Sequence, residues 1–290
     1  MPELPEVQTV VSDLNQKIKG DIITDFWSDW PKAIKNLSLK KFKQEIKNRK
    51  ILGARRIGKN IFMDLSGGKT LYIHLKMTGH LLVKSSKFKV QSSKNYFSDK
   101  VNQYIHHSWE LKDKKGKIKK LDFSDVRKFA KIVLDDTEKI SQLSEIKKLG
   151  LDAMDSQLTL KKFQKRLKKK KNKLIGLVLM DQETIAGIGN IYRSEILWEA
   201  GLSPTKMVKN LKEKEWQVLY ASMKKVLKKA IKMRGTSQSD YRDTSGAPGS
   251  FQKVLQVYKK DGEKCSSCGI IIKRQMLGQR SLFFCPKCQK

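Results

Sequence analysis

The chain opens Met1-Pro2-Glu3-Leu4-Pro5-Glu6-Val7. A small residue after Met1 lets an aminopeptidase remove it, so Pro2 is expected to lead the mature chain. Its terminus is then a secondary amine beside the carboxylates of Glu3 and Glu6. An α-amino group titrates near ~8, against ~10.4 for lysine, so a neutral fraction exists near pH 7. Such an amine can attack sugar or carbonyl carbons and form imines. The same residues also suit a plain helix start with Pro5 in its first turn.

A second constellation lies near the other end. Cys265-x2-Cys268 and Cys285-x2-Cys288 are separated by sixteen residues and hold all four cysteines of the chain. Two such knuckles can present four thiolates tetrahedrally to one Zn²⁺. With every position a thiolate, the site is closed, and the zinc is expected to be structural. Clustering of the cysteines also argues for a reducing compartment rather than disulfides. Ile270–Ile272 and Ser281–Phe284 suggest two strands of a hairpin. Lys273-Arg274 just after the first and Gln279-Arg280 just before the second can reach phosphate.

A third feature is Ile185-Ala186-Gly187-Ile188-Gly189-Asn190-Ile191-Tyr192. Its glycines permit a tight turn between two helices. Asn190 can cap the second, whose free N–H groups suit an anion, and Arg193 adds charge. An ordinary helix–turn–helix corner has the same pattern.

These groups need elements to position them. Val7, Val10, Val11, Leu14 and Ile18 follow helical spacing up to Gly20. From 22 to 134 the pattern is of short strands. Among them are a hairpin of 61–65 and 70–75 around Gly67-Gly68, and strands at 117–123 and 130–134. Residues 84–104 are Ser/Lys-rich and read as a long loop. Helices are expected at 159–171, 173–182, 189–200 and 211–233, followed by a flexible Gly/Ser-rich loop at 234–252.

The 290 residues are enough for two cores. With 62 Lys+Arg against 29 Asp+Glu, the net charge is +33. That imbalance favours a polyanion, most simply nucleic acid, although part of it is solvated lysine. No run of 18 apolar residues occurs, so no membrane helix is expected, and no secretory signal is apparent.

Taken together, the opening Pro-Glu-Leu-Pro-Glu-Val, the segment Asp-Gln-x-x-Ile-Ala-Gly-Ile-Gly-Asn-Ile-Tyr-x-Ser-Glu (181–195) and the four-cysteine finger with Gln279-Arg280 resemble formamidopyrimidine-DNA glycosylase. This is the bacterial family that removes oxidised purines. The resemblance runs in order over essentially the whole chain. It implies an α+β protein: a helix plus β-sandwich catalytic domain at 1–135 and a linker at 136–152. A helix–two-turn–helix DNA-binding domain at 153–253 and a zinc finger at 254–290 complete it. The implied activity is that of a bifunctional glycosylase and abasic-site lyase. The implied partner is double-stranded DNA with a damaged base or abasic site, met by a monomer in the bacterial cytoplasm.

Roles follow by position. Pro2 resembles the family's nucleophile and Glu3 its general acid/base, with Glu6 as a supporting acid. Lys59, in Gly58-Lys59-Asn60, matches a hairpin lysine that meets DNA near the lesion; on spacing alone it is a solvated turn residue. His106 matches a DNA-contacting histidine, although His107 stands beside it. Asn190 and Arg280 match phosphate-gripping residues. Met77, Arg127 and Phe129 match the set that fills the gap left by a flipped base. An apolar wedge and a guanidinium suit that task, but Met77 and Phe129 also suit a core. Two departures stand out. Gly176 occupies the place of a usual helix lysine, and the usual Asp-Pro-Arg-Arg-Phe reads Asp125-Val126-Arg127-Lys128-Phe129.

Two rivals remain. An endonuclease VIII-like enzyme would run the same chemistry on oxidised pyrimidines, but that branch typically opens Pro-Glu-Gly-Pro, whereas Leu4 stands here. A non-catalytic zinc DNA-binding protein would share the charge, corner and finger without needing Pro2-Glu3.

Overall fold

The computed structural model describes residues 1–85 and 95–290. Contacts divide the chain into two compact units. The first is Met1–Lys147 with Met233–Ser250, and the second is Lys148–Lys232 with Phe251–Lys290. Residues 233–250, which sequence order groups with the helical domain, thus pack within the first unit.

The first unit opens with helix α1 (Leu4–Lys17). Pro5 pre-sets its first turn, and the Glu6 carboxylate accepts the Glu3 amide at 2.7 Å. The stripe Val7, Val10, Val11, Leu14 and Ile18 is buried throughout, as its spacing predicts. Burying each such side chain contributes roughly 1.5–3 kcal/mol. On its other side, Asn15 exchanges both amide bonds with the Ala54 backbone, at 2.7 and 2.8 Å.

The strands are β1 (Ile22–Ser28), β2 (Ile51–Ile57), β3 (Asn60–Leu65), β4 (Lys69–His74), β5 (His80–Ser85), β6 (Ile105–Lys112), β7 (Ile118–Ser124) and β8 (Lys131–Asp136). Helix α2 (Leu39–Ile46) lies between β1 and β2, and two short helices, α3 (Thr137–Gln142) and α4 (Ser144–Lys147), follow β8. Two antiparallel sheets result, ordered β1-β6-β7-β5 and β2-β3-β4-β8. Their shared core includes Phe26, Trp109, Leu121, Phe123, Ile61 and Ile73 with the α1 stripe. The expected β3–β4 hairpin forms, with Gly67 and Gly68 at φ of 73° and 68°.

Part of the loop expected at 84–104 is strand: residues 84 and 85 end β5. Residues 95–104 make two short 3-10 turns, and 86–94 lie outside the described residues. The segment at 234–250 has neither helix nor strand, yet it is tied down rather than loose. Tyr241 and Thr244 are buried, and Arg234 reaches Asp13 and Asp243.

The second unit holds β9 (Leu151–Asp152), α5 (Leu160–Lys168), α6 (Ile175–Val178), β10 (Ile185–Ala186), α7 (Asn190–Glu199) and α8 (Glu213–Lys232). The finger adds β11 (Lys273–Leu277) and β12 (Arg280–Phe284). The helix expected at 173–182 is a single turn. Asp181 draws the Glu183 amide and the Thr184 hydroxyl onto its carboxylate, closing a turn where a helix would continue. The first finger strand also falls later than expected. Residues 270–272 are used by the cysteine knuckle: Ile270 O accepts the Cys265 amide, and Ile272 N donates to Glu263 O. Lys273 and Arg274 therefore sit inside β11 rather than beyond it.

Candidate active site

The start of the chain is buried. Met1 remains about half exposed, but Pro2, Glu3 and Glu6 are covered. The two Glu6 carboxylate oxygens are each held by a backbone amide at 2.7 Å, one from Glu3 and one from Thr236. One acid thus joins the chain start to the 233–250 segment. Gly235 makes that approach possible: its φ is 80°, and a Cβ would stand 2.6 Å from Glu6 Oε1. Burial pulls the Met1 amine, one residue before Pro2, below its ordinary value of 8.0; Glu3 and Glu6 oppose the fall and Lys59 adds to it.

Lys59 sits on the two-residue turn joining β2 to β3, where Gly58 supplies the positive φ of 59°. It is only 6% exposed, so the reading as a solvated turn lysine does not hold. Arg56 braces the turn by bonding Gly58 O at 3.0 Å and Gln8 at 3.0 Å. His74 Nδ1 accepts the Lys76 amide at 2.9 Å. Burial, with Lys76 and Lys59 nearby, takes its pKa from 6.5 to about 3.

Met77, Arg127 and Phe129 stand on two connected turns. Phe129 is 51% exposed, which decides for a surface tip over the core. Met77 is half-buried and Arg127 is exposed, its guanidinium 4.6 Å from the Phe129 ring centroid. The residue that shapes this tip is Asp125, fully buried. Its Oδ2 accepts the amides of Phe129 at 2.8 Å and Ala130 at 2.9 Å. Its Oδ1 takes the Thr78 hydroxyl, which in turn accepts the Arg127 amide at 3.1 Å. Sequence reasoning gave no role to Asp125 or Thr78. They are 47 residues apart, and no local pattern links them.

His106 and His107 separate cleanly. A β-bulge lies between Ile105 and His107 in the pairing of β6 with β7. The bulge places His107 in line with Trp109 and Leu111, inside the core and among the rings of Phe26, Trp30, Trp109 and Phe123. His106 keeps an accessible edge at 8% exposure and bonds Asp29 through Nδ1 at 2.9 Å.

In the second unit Asn190 does not cap α7. Gly189 holds the cap position, and Asn190 is the first helical residue. Its amide instead donates to Ser281 O on β12 at 2.9 Å, clasping the helix to the finger. Arg193, expected to lend charge to phosphate, is fully buried. It spans Asn190, Gly176 O and Ser281 O, acting as a brace. Glu195 adds another tie: its carboxylate accepts the amides of Gln256, Val257 and Tyr258 at 2.8, 3.0 and 2.9 Å. Burial raises its pKa despite these bonds. Gly176 is enclosed, and a Cβ there would lie 2.8 Å from Pro204 O. No side chain extends from that place to solvent, so the missing lysine follows from packing. Arg280 is exposed at the start of β12, after the Gly278-Gln279 turn.

The four cysteine Sγ atoms lie within 4.8 Å of one another. Cys268 and Cys285 are 3.4 Å apart, and Cys265 and Cys288 are 3.9 Å apart. Four thiolates around a tetrahedral zinc with ~2.3 Å bonds stand ~3.8 Å apart, so this set fits one ion. It is a closed, structural zinc site.

A sandwich with acids at its chain start, and a helical unit clasped to a four-thiolate finger, point to a zinc-bearing DNA glycosylase. Family models agree. The formamidopyrimidine-DNA glycosylase N-terminal domain matches residues 1–132, its H2TH domain 149–242, and the zinc finger found in FPG and IleRS 262–290. The formamidopyrimidine-DNA glycosylase of Carboxydothermus hydrogenoformans is 37% identical over 290 residues, covering 100% of both chains. That of Pelotomaculum thermopropionicum is 36% identical, covering 100% of this chain and 99% of its own. Among solved structures, the Lactococcus lactis Fpg bound to DNA containing an abasic site superposes with a TM-score of 0.84 at 31% identity, over 99% of each chain. MutM in complex with DNA containing carbocyclic 8-oxo-G gives 0.83 at 31%, over 100% of each. The chain belongs to the formamidopyrimidine-DNA glycosylase family, and it is a glycosylase of base excision repair. Among the described residues, no helix is long and apolar enough to cross a membrane.

Proposed function

We propose that this enzyme excises oxidised purines, 8-oxoguanine and formamidopyrimidines, from double-stranded DNA through the amine of Pro2, and then cleaves the abasic strand. The observation that carries this is the buried Pro2-Glu3 start, with Glu6 fixed by two amides and Lys59 close enough to act on the terminal charge. Removing Met1 frees the Pro2 nitrogen among these groups. An α-amino group titrates near ~8, so a neutral, nucleophilic fraction of the Pro2 amine is available near pH 7.

The amine nitrogen attacks C1′ of the damaged nucleotide, the base leaves with the electrons of the glycosidic bond, and the proton lost from the amine nitrogen balances the charge on the departing base. Glu3 supplies a proton to the ring oxygen as the sugar opens, leaving an iminium at C1′. The iminium acidifies the 2′ protons. Loss of one expels the 3′ phosphate, and a second elimination expels the 5′ phosphate. Water then returns the free amine. Lys59 meets the backbone at the lesion. Met77, Arg127 and Phe129 occupy the space of the flipped nucleotide, an extrusion that costs roughly a few kcal/mol. His106, Asn190 and Arg280 grip phosphate. The zinc holds the finger that displays Arg280 and takes no chemical step. A bacterial cytoplasmic, nucleoid-associated location accords with this substrate.

Borohydride reduction of the iminium tests the assignment. The mature protein should be trapped covalently on 8-oxoguanine DNA, whereas Pro2→Gly or a chain retaining Met1 should not. Full trapping by either variant would remove the amine from residue 2, and no trapping at all would favour a binding protein. Preference for thymine glycol over 8-oxoguanine opposite cytosine would move the enzyme to the pyrimidine branch.

A further inference from the structure

Both ends of α7 meet the finger, within the second unit. Asn190 and Arg193 clasp the helix start to β12. Its last turns reach toward the zinc ligands. Glu195 and Trp198 stand three residues apart and share one helix face. Glu195 fixes the backbone at 256–258, and Gln256 Oε1 accepts the Ser266 hydroxyl at 2.6 Å, inside the first cysteine knuckle. Gln289, which is buried, bridges the second knuckle in the same way. Its Oε1 accepts the Cys285 amide at 2.8 Å, and its Nε2 donates to Leu202 O, just past α7, at 3.0 Å. Each knuckle is therefore tied to α7 or to the turn that ends it.

Trp198 goes a step further. Its ring packs against the cluster of Val257, Cys265, Ile272, Phe283 and Cys285. The indole nitrogen is sealed from solvent, and no oxygen or nitrogen among the described residues accepts its proton. An N–H desolvated in this way is costly unless something accepts it. The acceptor is sulfur: the indole N–H meets Cys265 Sγ, beside the amides of Ser267 and Cys268. Those two amides belong to the knuckle's own turn, and Cys285 has the matching pair from Lys287 and Cys288. The indole is an extra donor that comes from outside the finger.

A thiol accepts weakly, whereas a thiolate accepts well. Zinc binding deprotonates its cysteine ligands, so the metal strengthens this bond. Four thiolates and one Zn²⁺ carry a net charge of −2. Each N–H aimed at a sulfur spreads that charge and orients the ligand.

We propose that Trp198 is a positioning residue of the zinc site: its indole N–H bonds the Cys265 thiolate, so that the ion and helix α7 hold each other in place. This goes beyond the oxidised-purine reading, since neither group takes a chemical step. The linkage is reciprocal. Zinc strengthens an anchor at the end of α7, and the helix in turn slows loss of the ion. The start of the same helix carries Asn190, so DNA affinity depends on zinc through Trp198 as well as through Arg280.

The test uses full-length protein and removes the N–H while keeping an aromatic ring, as Trp198→Phe. Trp216→Phe is the control. Trp216 also has a buried indole N–H without an oxygen or nitrogen acceptor, but it packs on Phe163, outside the cysteine cluster. Zinc retention is read by competition with a chromogenic chelator. Trp198→Phe should hold zinc about tenfold more weakly, and Trp216→Phe within about twofold of the parent. At zinc that just saturates the parent, Trp198→Phe should bind a duplex with an uncleavable abasic analogue about tenfold more weakly. Excess zinc should restore it to within about twofold. A second measurement needs no variant. With NMR-active cadmium in place of zinc, one indole proton should show scalar coupling to the metal, and Trp198→Phe should remove that signal. Equal zinc retention in Trp198→Phe and the parent would overturn the proposal. So would the absence of any indole coupling to cadmium, which would leave Trp198 a packing residue only. Equal weakening in both variants would overturn it too, because the cause would then be stability of the helical unit rather than the bond to sulfur.

Discussion

At the residue scale, the first seven positions were the most informative, and the fold shows how their acids are held. Glu6 is not a free acid beside an amine; two amides hold it, one of them from residue 236. The buried histidines carry the clearest pH consequence. His107 has no hydrogen-bond partner for either ring nitrogen among the described residues, and burial takes its pKa from 6.5 to about 4. The folded pKa lies below the unfolded one, so folding favours the neutral ring. Its contribution is fully present above pH 6.5 and is lost as pH falls from 6.5 toward 4. At 1.36 kcal/mol per pKa unit, this is on the order of 3 kcal/mol. Replacing it by His107→Phe, inside a ring of aromatics, should flatten the loss of stability between pH 6.5 and 4. Urea melts at pH 7 and pH 4.5 measure this, and an unchanged difference between them would refute it.

At the element scale, turns and strand ends do the positioning. The Arg127–Phe129 tip, in which Lys128 adopts a φ of 54°, is imposed by one buried carboxylate. Asp125→Ala leaves several amides and a hydroxyl without their acceptor, at a cost of about 2–4 kcal/mol. A drop in melting temperature should accompany a loss of 8-oxoguanine excision; a variant as stable as the parent would show that other groups shape the tip. In the second unit the N-terminus of α7 is clasped to β12 by Asn190 and Arg193. The finger thereby fixes the helix start as well as Arg280. Chelating the zinc should loosen both. DNA affinity should fall at least about tenfold, while covalent trapping at saturating DNA persists, since the amine lies in the other unit. Affinity unaffected by chelation would refute this role for the finger.

At the scale of the whole molecule, the net charge of +33 sets how the protein meets its substrate. Each neutralised phosphate adds about −0.9 to the slope of log K against log salt. Several cationic contacts, from Lys59, Arg280 and surface lysines, should give a slope steeper than about −4. Fluorescence anisotropy titrations between low and physiological salt would reveal it, and a slope near zero would contradict a basic DNA-binding surface.

Sequence alone determined what depends on residue type and short spacing. The buried acids at the chain start, the four-thiolate finger, the α1 stripe and the β3–β4 hairpin were all legible, because helix period, strand alternation and ligand spacing are local properties. Tertiary structure decided what depends on distant partners. It put Phe129 on the surface and His107 in the core, a distinction set by a bulge that neighbouring histidines cannot reveal. It turned Asn190 and Arg193 from a cap and a surface charge into a clasp, because their acceptor, Ser281, lies about ninety residues away. The 233–250 segment went to the first unit, since its bonds run to Glu6, Asp13, Val83 and Asn102. Burial and hydrogen bonding across long separations are three-dimensional facts, and no residue spacing encodes them.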